Sequence, residues 1–85
     1  MDIRQRLAFN LKRLREERGL SQEQFAFDAG IHRTYISDLE RSARNPTIAI
    51  VARIAKAFDV FEGDLLLHPA NYRGNLRPKK SEPHA

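Results

Sequence analysis

Apolar residues recur at helical spacing near the N-terminus of the chain. Ile3, Leu7, Leu11 and Leu14 are three or four positions apart, and most residues between them are polar or charged. Side chains at this spacing share one face of an α-helix, so the pattern predicts an amphipathic first helix. Gly19, which accepts a left-handed backbone conformation, marks its expected end.

Two shorter helices are predicted on either side of Gly30. Ser21 offers a capping oxygen, and Gln24 follows three residues later, which is the spacing of a capping box. This second helix extends to about Ala29. A third helix is predicted over about residues 32–41, after a tight turn that glycine can make. The expected buried residues of the two helices are Phe25, Ala26, Ala29, Ile36 and Leu39.

A more regular apolar pattern follows the segment "SARNP". Asn45 precedes Pro46, and the residue before a proline avoids the helical conformation, so this segment is predicted to be a loop. Thr47 can then cap a fourth helix. The segment "VFEGDLLL" predicts a short fifth helix, in which Gly63 disfavours regular geometry. The apolar residues of these helices are Ile50, Val51, Ile54, Ala55 and Phe58, then Phe61, Leu65 and Leu66.

The predicted fold is all-α, with four or five helices in a single domain of residues 1–67. No sustained alternation of apolar and polar residues indicates a strand, and no repeat of solenoid length is present. Residues 68–85 contain three of the four prolines and several basic residues. We therefore expect a basic C-terminal tail that is ordered only where Tyr72 or Leu76 docks.

The amino-acid composition indicates which classes of partner the chain can bind. The 85 residues include no cysteine and 15 Lys and Arg against 11 Asp and Glu, so the formal net charge is +4. A basic chain favours an anionic partner, and its basic residues concentrate in "LKRLREER" and "ERSARNP". No apolar run approaches the roughly 20 residues that span a bilayer, and the N-terminus lacks the apolar segment of a signal peptide. We expect a cytoplasmic protein without a membrane partner.

The second and third helices together are typical of a DNA-binding helix-turn-helix. Ala26 is small where two helices cross closely, and Gly30 turns without strain at a Cβ atom. Ile36 and Leu39 can fill the angle between the helices. The combination of these features is much more specific than any single residue.

The segments "LKRLREERGLSQEQFA", "AGIHRTYISDLERSARNPT" and "VARIAKAFDV" resemble the phage repressor and Cro family of helix-turn-helix transcriptional regulators. The resemblance extends from about Leu7 to Leu66. The "HRTYISDLER" and "RNPT" runs are also similar to controller proteins of restriction-modification systems, a branch of that family. The resemblance implies a compact lambda-repressor-like bundle, a symmetric dimer on a pseudo-palindromic operator, and a recognition helix of about residues 32–41 in the major groove of double-stranded DNA.

On this resemblance, His32, Arg33 and Thr34 begin the recognition helix and can reach base edges. Arg33 can bridge O6 and N7 of guanine, and its alternatives are a phosphate contact or no contact. Tyr35 is expected either to contact a thymine methyl group, a sugar or a phosphate, or to be partly buried against the tail.

The remaining DNA-binding candidates lie on the outer face of the third helix and at its two ends. Ser37 and Asp38 follow on that face, and Asp38 either reads cytosine or braces Arg33 or Arg41. Gln22 lies where the family holds a phosphate at a helix N-terminus; alternatively, it is a solvent-exposed helix former. Contacts to the DNA backbone are assigned to Arg41, Arg44 and Asn45.

Two further sets of residues are expected to hold the structure together rather than to contact DNA. The resemblance implies an ion pair between Arg15 and Glu40 that fixes the angle of the recognition helix. Phe61, Leu65 and Leu66 provide more apolar surface than one short helix can bury in so small a fold. We therefore predict a homodimer formed through these three residues.

An enzyme is not expected, because His32, His68 and His84 are scattered and no phosphate-binding glycine loop or metal-ligand cluster is present. Accordingly, no cofactor, metal or small-molecule ligand is predicted. The alternative to DNA binding is a protein-interaction or antitoxin-type module with the same fold. Such a module would expose aliphatic side chains on the third helix, where this sequence has mainly polar and charged ones.

Overall fold

The computed structural model describes residues 1–71, and the predicted docking residues Tyr72 and Leu76 lie outside them. Residues 1–71 contain four α-helices and two 3₁₀ helices and no strand, which confirms the all-α prediction. No helix within this range is long and apolar enough to cross a membrane. The elements are α1 (Ile3–Glu17), α2 (Gln22–Ala29), α3 (Arg33–Glu40), α4 (Ile48–Phe58) and the 3₁₀ helices Glu62–Leu66 and Pro69–Asn71.

Three of the four α-helices, α1, α2 and α4, begin at side-chain caps. Ser21 and Gln24 form the predicted capping box, in which the Gln24 amide lies 3.0 Å from the Ser21 hydroxyl and the Ser21 amide 2.9 Å from the Gln24 side chain. Thr47 caps α4 as predicted. The first helix also has a capping box, formed by Asp2 and Gln5. These contacts satisfy backbone amides that have no partner inside a helix.

All four α-helices end in the same way. The residue that follows each last turn has a left-handed backbone: φ is +66° at Gly19, +67° at Gly30, +57° at Ser42 and +59° at Asp59. The next amide in each case donates to a carbonyl five residues earlier. Two of these ends therefore use the residue that best tolerates positive φ, and two place a side chain there at some cost in energy.

The core contains the predicted buried residues of α2 and α3 together with Ile54, Ala55 and Phe58 of α4, while the remaining predicted apolar residues of α4 are partly buried against it. The rings of Phe25 and Phe58 stack with their centroids 4.2 Å apart, which joins α2 to α4. Ile3 begins α1 on the predicted apolar face, but its side chain is 52% exposed because it lies in the first turn of the helix. The main buried apolar residues are Leu7, Leu11, Leu14, Phe25, Ala26, Ala29, Ile36, Leu39, Ile54, Ala55, Phe58, Val60 and Leu65.

The predicted fifth helix is a 3₁₀ helix, and a buried asparagine attaches it to α1. The side-chain amide of Asn10 donates to the carbonyls of Leu65 and Leu67 at 2.8 and 2.9 Å. The side chain of Leu65 itself has no exposed surface. Its assignment to a dimer interface is therefore wrong, since it completes the core of its own chain. Phe61 and Leu66 remain at least partly exposed.

The second 3₁₀ helix, Pro69–Asn71, contacts α1. Ordered structure therefore continues a few residues beyond the predicted domain limit at residue 67. The division into a domain of residues 1–67 and a tail of residues 68–85 stays a prediction, since most of the tail lies outside the described range.

Candidate nucleic-acid interface

The joint between α2 and α3 is a left-handed turn closed by backbone hydrogen bonds. Gly30 has the positive φ, and the amide of Ile31 donates to the carbonyl of Ala26 at 2.9 Å. Arg53 of α4 donates to the Gly30 carbonyl at 3.2 Å. The buried Ile36 attaches α3 to the core. The two helices are consequently held at a fixed angle, and one face of α3 is left open to solvent.

The open face of α3 and the start of α2 form a shallow polar depression. Arg33 and Thr34 are exposed at the N-terminal end of α3, next to Gln22 of α2. Within residues 1–71, the Arg33 side chain makes no hydrogen bond or ion pair, so its guanidinium group is available to a ligand. The depression is lined by Gln22, Arg33, Thr34, Ser37, Asp38 and Arg41.

A largely buried ion pair between Arg15 and Glu40 lies beneath this depression. Arg15 of α1 donates from Nε and Nη2 to the two carboxylate oxygens of Glu40, at 2.6 and 2.8 Å. Only 11% of the Arg15 side chain and 4% of the Glu40 side chain are exposed. The hydrogen bond to Glu40 raises the pKa of Arg15, which therefore stays charged. The ion pair implied by the family resemblance is thus present and joins α1 to the end of α3.

Gln22 belongs to the same network. Its side-chain nitrogen donates to Glu40 at 3.1 Å, so one of its two N–H groups is used and the other remains for a ligand. Gln22 is half-buried at the first position of α2. The interpretation of Gln22 as a merely solvent-exposed helix former is therefore wrong. Its contact with a DNA phosphate stays a prediction.

A second cluster of charged groups lies at the C-terminal end of α3. The carboxylate of Asp38 accepts hydrogen bonds from Arg41 and from Arg44, the latter at 3.0 Å. The Arg44 guanidinium group also lies over the ring of Tyr35, 4.3 Å from its centroid. These contacts favour Asp38 as a brace, and its partners are Arg41 and Arg44 rather than Arg33. Tyr35 is half-buried against the core and Arg44.

The two arginines lower the pKa of the Asp38 carboxyl group. The hydrogen bond from Arg44 has the largest effect and desolvation opposes it. A hydrogen bond from Arg41 and the charges of both arginines lower the pKa further. Asp38 is therefore ionised at neutral pH, and the cluster contains two cations for one anion.

Asn45 lies elsewhere, beside an apolar groove that the sequence did not predict. The groove has a volume of about 180 Å³ and lies between the start of α1, the loop before α4 and the first 3₁₀ helix. Ile48, in the first turn of α4, is 88% exposed at its edge. The signal in the sequence was an isoleucine directly after a cap and outside the buried set. The groove is lined by Ile3, Arg4, Leu7, Asn45, Pro46, Ile48, Val51 and Leu66.

His32 is exposed at the start of α3 and does not cap the helix with its side chain. His68 is not part of a metal site. Within residues 1–71, no group of three or more His, Asp or Glu side chains is arranged to hold a metal ion. His84 lies outside the described residues.

Comparison with known proteins identifies the family to which the chain belongs. The profile of the HTH_3 family, described as helix-turn-helix, matches residues 11–62. Control protein C.SmaI of Serratia marcescens is 44% identical to the chain over 66 residues, which are 78% of this chain and 79% of that protein.

Two solved structures are similar as well. The hypothetical transcription factor NHTF from Neisseria is 38% identical, with a TM-score of 0.78 over 81% of this chain and 79% of that one. The restriction-modification controller protein C.Esp1396I, as a tetramer in complex with its natural 35 base-pair operator, is 34% identical. Its TM-score is 0.69 over 76% of this chain and 86% of that one.

Proposed function

Since this chain belongs to the HTH_3 family of helix-turn-helix proteins, we propose that it binds a specific double-stranded DNA operator and regulates transcription there. In this function α3 lies in the major groove, and the N-terminus of α2 faces the DNA backbone. The similarity to C.SmaI and C.Esp1396I supports a controller-type regulator. None of this requires a bound cofactor.

The polar and charged side chains on the open face of α3 are the main support for this proposal. A protein-binding or antitoxin-type surface would expose large apolar side chains on α3. Among residues 1–71, the exposed large hydrophobic residues all lie elsewhere, whereas the depression beside α3 is lined by polar and charged side chains. Such a surface suits the phosphates and base edges of DNA. The exposed large hydrophobic residues are Met1, Ile3, Phe9, Phe27, Ile48 and Phe61.

The contacts follow from position and from available hydrogen-bond donors. Arg33 is proposed to read a base, because its guanidinium group is exposed and has no partner among the described residues. Gln22 is proposed to donate to a phosphate with its remaining N–H group. The other proposed contacts come from His32, Thr34, Tyr35, Ser37, Arg41 and Arg44, while Asn45 lies beside the apolar groove.

We also propose that the chain binds its operator as a homodimer through the apolar groove. Ile48, Val51 and Leu66 supply apolar surface there, and Leu65 takes no part because it is buried. Asn45 and Pro46 of the loop after α3 line the groove. A two-fold contact at the groove therefore connects the recognition helices of the two subunits through a short segment of each chain. The expected separation of these helices is about 34–36 Å, one turn of DNA.

Selection of bound fragments from a random pool of DNA duplexes tests the proposed function. We expect an enriched sequence with two inverted half-sites, and an affinity for it that exceeds the affinity for scrambled duplex by about 10³-fold or more. Failure to enrich any sequence would contradict specific DNA binding.

The dimer contact has a separate test. The substitution Ile48→Lys should leave the helicity unchanged, because this side chain is almost fully exposed. It should convert the dimer into a monomer in sedimentation experiments and weaken binding to the two-half-site operator. Phe27→Lys makes the same change of charge at an apolar residue of α2 that is 87% exposed and lies outside the groove; it is the matched control and should remain dimeric. A dimer that survives Ile48→Lys unchanged would place the interface elsewhere.

A further inference from the structure

A carboxylate on the helix that enters DNA is unexpected on electrostatic grounds. Asp38 lines the same depression as Arg33 and Gln22, and only 18% of its side chain is exposed. Next to DNA phosphates, a negative charge weakens binding to any sequence. The presence of Asp38 on this face therefore calls for a physical explanation.

The contacts of Asp38 supply that explanation. One carboxylate oxygen accepts from Arg41 and the other from Arg44, so each oxygen has its own guanidinium donor. Arg44 is held on a second side by the ring of Tyr35, at 4.3 Å. An arginine held by a carboxylate and by an aromatic face has lost most of its rotational freedom before a ligand arrives.

The backbone brings these four side chains together. Ser42 takes a left-handed conformation, and the Ala43 amide donates to the Asp38 carbonyl at 2.9 Å. This turn reverses the chain directly after α3, so that Arg44 lies back over the helix rather than continuing its axis. The arrangement of Tyr35, Asp38 and Arg44 is consequently built into the end of the recognition helix.

We infer that Asp38 is a positioning residue that increases the discrimination between the operator and other DNA, by fixing Arg44 and Arg41 in one arrangement. The inference rests on the proposed function above. Freely rotating arginines adapt to the phosphates of any duplex, whereas a fixed pair matches the phosphates only in the register set by α3. Asp38 also repels phosphates wherever this register is not reached, so it weakens non-specific binding in particular.

Two variants with the same change of charge test the inference. Asp38→Asn keeps the size of the side chain and removes its charge at the cluster. Asp28→Asn makes the same change on an exposed residue of α2, outside the depression. For each variant, affinity is measured for the selected operator, for its single-base variants and for scrambled duplex over a salt series.

For Asp38→Asn we expect affinity for scrambled duplex to rise by about threefold and affinity for the operator to fall by about fivefold. The ratio of the two affinities then falls by about fifteenfold. For Asp28→Asn the ratio should stay within about twofold of the wild type. A rise of both affinities by the same factor in Asp38→Asn would overturn the inference, because Asp38 would then be only a repelling surface charge. Loss of preference at a single C·G pair, with the arginines still in place, would also overturn it and identify a cytosine reader.

A measurement without DNA separates this inference from the proposed function. Nuclear Overhauser effects between the Arg44 side chain and the Tyr35 ring should be strong in the wild type and weak in Asp38→Asn. If they are equal in both proteins, Asp38 does not position Arg44, whatever DNA the protein binds. If they behave as expected but the wild type selects no DNA sequence, the proposed function fails and the role in discrimination fails with it.

Discussion

Asp38 and Glu40 lie two residues apart near the end of α3, and each carboxylate accepts hydrogen bonds from two side chains. The partners of Glu40 come from α1 and α2, and only 4% of its side chain is exposed. The partners of Asp38 follow α3 directly in the chain, and its side chain is several times more exposed. Similar chemistry therefore joins three helices at one position and arranges two surface arginines at the other.

Burial explains the difference between the two clusters. A desolvated carboxylate must keep its partner, because a buried charge without one is strongly destabilising. A carboxylate that water can reach, such as Asp38, exchanges its partners for water at a lower cost. We therefore expect changes at Glu40 to lower the stability of the fold, and changes at Asp38 to alter binding instead.

The largest effect is expected from Glu40→Ala, which removes the carboxylate partner of the largely buried Arg15 charge and leaves it only the hydrogen bond to the Leu20 carbonyl. The free energy of unfolding should fall by about 2–3 kcal/mol, somewhat less than for a deeply buried pair. Urea denaturation followed by circular dichroism measures it. The double substitution Arg15→Met and Glu40→Leu should recover most of the loss, since apolar side chains replace both charges. Asp38→Ala is the matched control and should shift the midpoint only slightly.

Substitutions of single arginines test how the open face of α3 binds DNA. Arg33→Ala should cost about 1–3 kcal/mol on the operator and relax the preference at one base position per half-site, because a bidentate donor is lost. Arg44→Ala should weaken binding to the operator more than to scrambled duplex, leave the preference at each base position unchanged, and reduce the salt slope by about one per subunit. Both variants should keep the helicity of the wild type. If Arg33→Ala lowered affinity for every duplex equally, Arg33 would be a backbone contact.

The pH dependence of the Asp38 cluster is a smaller effect with a defined sign. Because the arginines lower the pKa of Asp38, the cluster is fully formed above the ordinary range of an aspartic acid. It should be lost only as the pH falls through the lowered pKa. Carbon-13 titration of the Asp38 carboxyl group measures this value. In Arg44→Ala the midpoint should move upwards, since Arg44 has the largest effect; an unchanged midpoint would show that Arg44 does not hold Asp38.

The sequence predicted those parts of the molecule that depend on neighbouring residues. The capping box at Ser21, the cap at Thr47 and the turn at Gly30 are all local, and all three are present. Asn10 was not predicted, because on an amphipathic helix it is indistinguishable from a surface residue. Its acceptors at Leu65 and Leu67 are more than fifty positions away.

The sequence predicted which residues belong to the candidate site better than it predicted which of them contact each other. The family resemblance placed Arg15 opposite Glu40, and these residues do form a pair. It did not indicate which arginines Asp38 would hold, because the answer depends on the turn at Ser42. Serine does not indicate a left-handed conformation in the sequence, whereas the glycines at positions 19 and 30 do. The apolar groove was missed since it combines residues from distant segments.

The smallest expected effect concerns this turn. Ser42→Gly should raise the free energy of unfolding by about 0.5–1 kcal/mol, because glycine adopts the observed φ of +57° without strain and this gain exceeds the added entropy of the unfolded chain. Urea denaturation measures the change, with Ser42→Ala as a control that should not stabilise. The backbone bond from Ala43 to Asp38 keeps the same path in the variant, so the Tyr35–Arg44 contact and the discrimination between operator and scrambled duplex should be preserved. If the variant is more stable but discriminates less, the serine side chain itself contributes to the binding surface, and the turn does more than direct Arg44 back over α3.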